Sequence, residues 1–142
     1  MKVMVLLKAT AESEAGRFPS ETEITATIEF NERLVEAGIL LSADGLYPSA
    51  RGARISFETV DGEDPSVVDG PFAETKELVS GFWIVDVASI EAAVELFREL
   101  PCARGASIEL RQIISPEDFE QVDPELRERV ERMEAEADSR AS

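Results

Sequence analysis

The run from Val79 to Val87 is apolar on both of its alternating faces, with Val79, Trp83, Val85 and Val87 on one and Phe82 and Ile84 on the other. A strand of this kind needs cover on both sides, which places it at the centre of a sheet. Val3 to Ala9 has the same character, with Val3, Val5 and Leu7 alternating with Met4, Leu6 and Lys8. Two such strands commit the chain to a sheet with helices on at least one face.

The segments between them supply those helices. Ser20-Glu21-Thr22-Glu23 has the form of a capping box and follows a polar loop from Thr10 to Pro19. It predicts a helix to about Ala37, ended by Gly38, with Ile24, Ile28, Leu34 and Val35 as its buried stripe. Asn31 falls on that stripe, where its amide needs a partner, at a pocket or at the edge of the core. Strands are expected at Ile39 to Ser42 and Arg54 to Thr59, with a hairpin turn at Asp61-Gly62 and a return strand at Val67-Val68. Ser89 caps a second helix in which Ile90, Ala93, Val94, Phe97 and Leu100 recur, and Pro101 stops it. Ala106 to Ile114 reads as an edge strand. Ser115-Pro116 and Asp123-Pro124 each signal a C-terminal helix, the second highly charged, with Leu126, Val130 and Met133 at helical spacing.

This order is the split β-α-β pattern of an α+β, ferredoxin-like sandwich with an inserted β-hairpin. It spans residues 1–115, followed by an acidic helical extension at 116–142. Such a sandwich leaves one sheet face open, and here that face carries Trp83 or Phe82 with its neighbours. The expectation is a homodimer in which a second copy covers the face, forming a dimeric α+β barrel.

Composition narrows the chemistry. The net charge of -16 repels phosphate backbones, and no basic stripe interleaved with aromatics offsets it, so no nucleic acid is expected as a partner. There is no histidine, which removes Ser/His/Asp and Cys/His nucleophile arrangements and histidine-based metal sites. One cysteine, Cys102, excludes an intrachain disulfide and suits a reducing compartment. No window approaches the ~18 consecutive apolar residues of a membrane span, and the N-terminal apolar run is a strand without a cleavage site. The expected location is the cytoplasm, with no membrane contact.

Between the return strand and the central strand lies Asp69-Gly70-Pro71-Phe72-Ala73-Glu74-Thr75-Lys76-Glu77. Asp-Gly and Gly-Pro both reverse the chain, so this is a loop of preset shape. The nonapeptide resembles the DGPFAETKE signature of the DGPF branch of the YCII-related family. The likeness extends to Gly45-Leu46-Tyr47-Pro48-Ser49, Gly52-Ala53-Arg54, Gly81-Phe82-Trp83 and Ser107-Ile108-Glu109-Leu110-Arg111, across roughly residues 2 to 115. The resemblance implies a ferredoxin-like dimeric α+β barrel. It also implies either an enzyme acting on a small organic acid or a regulatory module associated with sigma-factor-dependent transcription. An Asp and a His have been suggested as the family's site. Asp69 matches the former, whereas Tyr47 stands where many relatives look to have His, so a histidine-dependent mechanism does not carry over.

A site is expected where the signature loop, the Tyr47 to Arg54 segment and the Cys102 to Gly105 turn converge. Asp69 is the candidate general base and Tyr47 the candidate acid or hydrogen-bond donor. Arg54, Lys76 and Arg104 are candidates to hold an organic anion, with Glu74 and Glu77 orienting them. The chemistry would be proton abstraction or elimination without a metal or redox cofactor. The plainer reading makes Asp69 a turn cap, the charges of Glu74, Lys76 and Glu77 an ion-pair network, Cys102 an inert thiol, and the protein a non-catalytic dimeric interaction module.

Overall fold

A computed structural model describes residues 1–58, 60–73, 77–102, 105–118 and 122–141. The chain divides into two compact units, Met1–Gln112 and Ile113–Ser142. The first is a mixed α+β unit built on a four-stranded antiparallel sheet of order β2-β5-β1-β6. Its strands are β1 (Lys2–Lys8), β2 (Leu40–Gly45), β5 (Val79–Asp86) and β6 (Ile108–Gln112). The two strands with apolar faces on both sides, β1 and β5, pair in the middle with Val5 opposite Trp83 and Val3 opposite Val85. β6 lies at the edge, as its alternation of Ile108 and Leu110 with Glu109 and Arg111 predicts.

Helix α2 (Glu21–Glu36) begins at the anticipated capping box. The Ser20 amide donates to the Glu23 carboxylate at 2.7 Å, and the Glu23 amide donates to the Ser20 hydroxyl at 3.2 Å. That bond from the Ser20 backbone, first among its causes, holds the Glu23 carboxyl below its ordinary value. The helix ends in a Schellman motif: the Ile39 amide bonds the Leu34 carbonyl and the Gly38 amide the Val35 carbonyl, with Gly38 at φ +70°. Its buried face differs in part from the anticipated stripe. Leu34 is buried as expected, but its companion is Phe30, whereas Ile24, Ile28 and Val35 are exposed. Phe30 decides the rotation, because its ring meets Phe97 edge-on at 5.4 Å, and turning that residue inward swings the other three about a third of a turn away. The expected loop after β1 also contains a short helix, α1 (Ala11–Glu14), capped by Thr10, whose hydroxyl accepts from the Ser13 amide.

Helix α3 (Ile90–Phe97) starts at Ser89, as expected, and buries Ala93 and Phe97. Phe97 also meets Trp83 edge-on at 5.6 Å, joining both helices to the central strand. The core is Val3, Val5, Phe30, Leu34, Trp83, Val85, Ala93 and Phe97. Trp83 therefore belongs to the helix-covered face. The opposite face carries Met4, Leu6, Phe82 and Ile84, all half-buried.

The inserted hairpin is a separate two-stranded sheet, β3 (Ala53–Ser56) against β4 (Ser66–Asp69), with Ala53 opposite Asp69 and Arg54 opposite Val68. The third strand thus stops at Ser56, and the anticipated end at Thr59 lies outside the described residues. In the second unit, the first anticipated C-terminal helix is a 3-10 turn at Pro116–Asp118, and α4 (Pro124–Ala141) is the long one. Among the described residues no helix is long and apolar enough to cross a membrane.

The root of the hairpin is a backbone clamp. A Cβ built on Gly70 would lie 1.7 Å from the Ser49 carbonyl oxygen, and the Gly70 amide donates to the Gly52 carbonyl at 3.0 Å. Only glycine permits this approach. Gly70→Ala is expected to lower unfolding free energy by about 2–3 kcal/mol, whereas Gly45→Ala, which meets nothing within 4 Å, should cost under about 1 kcal/mol. Urea denaturation of both variants checks the contrast.

Candidate functional site

At one end of the first unit lies a cleft of about 700 Å³ between α1, the start of α2, and the sheet edge where β2 ends and β5 begins. The physics of α2 and β5 builds its floor. Trp83 is only 6% exposed, because its ring is part of the core. Its indole N–H still needs an acceptor, and the Asn31 side-chain oxygen provides one at 2.8 Å. Asn31 thus combines both roles anticipated for it, a satisfied amide at the core edge and a residue facing a pocket.

Around this floor stand Lys8, Arg17, Thr27 and Tyr47. Arg17 is paired to Glu12 at 2.6 Å, so its charge is already answered. Lys8 has no ion pair among the described residues. Lys8 is half-buried as a residue, and a lysine lining a partly apolar cavity suits an anion.

Tyr47 stands at the rim on the loop after β2. Its ring takes the Arg51 guanidinium on one face, 3.8 Å from the centroid, and meets Phe18 edge-on at 6.4 Å. The loop itself is tied down at Ser49. The Ser49 amide donates to one Glu14 carboxylate oxygen at 3.0 Å and its hydroxyl to the other at 2.5 Å. The same hydroxyl accepts the Phe72 amide at 3.0 Å. Through Ser49, the described half of the signature loop is fastened both to α1 and to the segment carrying Tyr47. That bridging role of Glu14 and Ser49 was not anticipated from the sequence, since it joins residues 35 positions apart with no local pattern.

The structure places the anticipated site residues in two groups. Tyr47 and Cys102 line the cleft together. Asp69 and Arg54 lie on the hairpin instead; Asp69 is exposed at the end of β4, and the Arg54 guanidinium sits 3.9 Å from the centroid of the Phe72 ring. Neither is among the residues lining the cleft. Lys76, Arg104 and Glu74 fall outside the described residues. Among the described residues no three His, Cys, Asp or Glu side chains converge as metal ligands would.

Two outcomes follow from this geometry. Asn31→Ala leaves the Trp83 N–H without its acceptor and is expected to cost about 1–3 kcal/mol in urea denaturation, with a shift in emission of the protein's single tryptophan. Asn31→Asp keeps an acceptor and should lose less. At Cys102 the residue as a whole is exposed, yet partial burial pushes its thiol up from the ordinary value. Maleimide labelling at pH 7 should therefore be slower than for a free cysteine, and should rise as pH passes the ordinary thiol range.

Comparison with known proteins identifies a family. The family model described as the YCII-related domain matches residues 1–119. An uncharacterised protein of Rhizobium meliloti (strain 1021) is 39% identical over 75 residues, which is 53% of this chain and 58% of that protein. The chain thus spans less than two thirds of that relative's length. Among solved structures, the 5-chloro-2-hydroxyhydroquinone dehydrochlorinase of Burkholderia phenoliruptrix AC1100, in complex with 2,5-dihydroxybenzoquinone, is 12% identical, with 83% of this chain and 99% of that one covered and a TM-score of 0.41.

Proposed function

The chain belongs to the YCII-related family, and we propose that it binds, and in the fuller form of this reading transforms, a small organic acid in the cleft above Trp83. One observation carries the reading. The cleft joins an aromatic floor with a fixed amide oxygen partner, Trp83 and Asn31, to a lysine, Lys8, with no ion pair among the described residues. A flat apolar body would rest against the floor while its carboxylate meets Lys8. Tyr47 at the rim would donate a hydrogen bond or a proton.

In the fuller form Asp69 is the base, Arg54, Lys76 and Arg104 hold the anion, and Glu74 orients them. The reaction class these groups suit is proton abstraction or elimination on a carboxylated molecule. Asp69 and Arg54 sit on the hairpin, so this form needs the hairpin or a neighbouring copy to bring them to a ligand. The same reading includes a ferredoxin-like two-fold dimer, with a second copy covering Met4, Leu6, Phe82 and Ile84 to close a dimeric α+β barrel. It places the protein in a reducing compartment, the cytoplasm, in keeping with its single cysteine.

The test uses Trp83 as its own probe. Titrating benzoate, 2-hydroxybenzoate, pyruvate and succinate should give a saturable change in tryptophan emission for at least one of them. Lys8→Ala should then weaken that response about tenfold, the loss of a charge-assisted contact. Responses that stay linear for every acid, together with unchanged labelling of Cys102, would overturn the reading in favour of a non-catalytic interaction module.

A further inference from the structure

The unit Ile113–Ser142 contains α4, an 18-residue helix with no buried residue. One face of it is nevertheless apolar. Leu126, Val130 and Met133 are 47%, 38% and 61% exposed, and Ala137 continues their line. Their spacings of four, three and four residues are those of a d-a-d-a seam in a heptad repeat. A helix that is polar elsewhere gains little from such a seam unless something covers it.

The flanking charges say what does. With Val130 at position a, Arg129 and Glu136, both exposed, fall at g and set the pairing, while Arg127, half-buried and already engaged within the chain, and Glu134 fall at e. In an antiparallel pair of identical helices, e faces e and g faces g. Placing Val130 against Met133 of the partner subunit sets Arg129 opposite Glu136 of the partner subunit. The core layers then match a large residue to a smaller one, Leu126 against Ala137 of the partner subunit. A parallel pair aligns only Arg129 with Glu134 and sets the arginine-rich halves side by side. We infer that α4 is a self-association element, pairing antiparallel with α4 of a second copy of this chain.

Two heptads bury less than the ~800 Å² per partner of a standard interface. The pairing is therefore weak and concentration-dependent, and a local readout is needed to separate it from pairing through the sheet. The full chain with Cys102→Ser would carry either Leu126→Cys or Ala137→Cys. Under mild oxidation by glutathione disulfide, a mixture of the two should form the mixed disulfide at least tenfold faster than either forms its own homodimer. Arg129→Glu should slow that reaction about tenfold, and adding Glu136→Arg should restore it. Those two residues are two turns apart on one helix and cannot pair within it, so restoration reports a contact between chains. Circular dichroism confirms that each variant stays helical. Fast homodimer formation by Leu126→Cys alone would show parallel pairing and overturn the proposal. So would a mixed rate no higher than that of a cysteine on the outer face, as in Glu128→Cys.

Discussion

Trp83 has two demands that its position must meet together. Its ring is large enough that burial stabilises the core by more than any other single side chain on β5, and it does so through edge-on contact with Phe97. Its N–H cannot be buried without an acceptor. Asn31 answers the second demand from α2, at the rotation that Phe30 gives that helix over the sheet. Phe30 and Leu34 on the same helix complete the core at that rotation. The cleft is what remains where the hydrogen bond, rather than another apolar side chain, closes the end of the core. One residue pair thus both closes the core and floors the cleft.

The signature loop acts on this region from a distance. Its Gly70 lies against the backbone at Ser49, and its Phe72 amide is received by the Ser49 hydroxyl, which Glu14 holds from α1. These are backbone and short-side-chain contacts with little freedom, so they transmit position well. The segment they hold carries Tyr47 and Arg51, stacked on each other at the rim of the cleft. A motif rich in charge thereby exerts its described effect through its glycine and its amides.

Much of the architecture was legible because it rests on local rules. The two-faced apolar patterns of β1 and β5 placed them at the sheet centre, the Ser20 box and Gly38 bounded α2, and Ser89 opened α3. Failures came where local pattern was ambiguous. Leu34 was placed inward correctly, but Ile24, Ile28 and Val35 recur at helical spacing as well as Phe30 does, and periodicity alone does not say which of them turns inward with it. α1 is a single short helix whose cap, Thr10, pairs with a serine, a weaker signal than the Ser20 and Glu23 box. At the cleft, Asn31 was legible as a polar residue on an apolar helix stripe and Tyr47 through the family resemblance, whereas Lys8 looked like the ordinary end of a strand.

The sequence by itself determined the α+β class, the central strands, the main helix caps, the acidic character and the absence of histidine chemistry, because each depends on neighbouring residues or on composition. Only the tertiary structure decided that Asn31 meets Trp83 across 52 positions, that Ser49 joins Glu14 to Phe72, and that Asp69 and Arg54 sit on the hairpin while Tyr47 borders the cleft. Those pairings depend on how α2 rotates over the sheet and on where the hairpin leaves it. Both are settled by fitting side-chain volumes and hydrogen-bond partners in three dimensions.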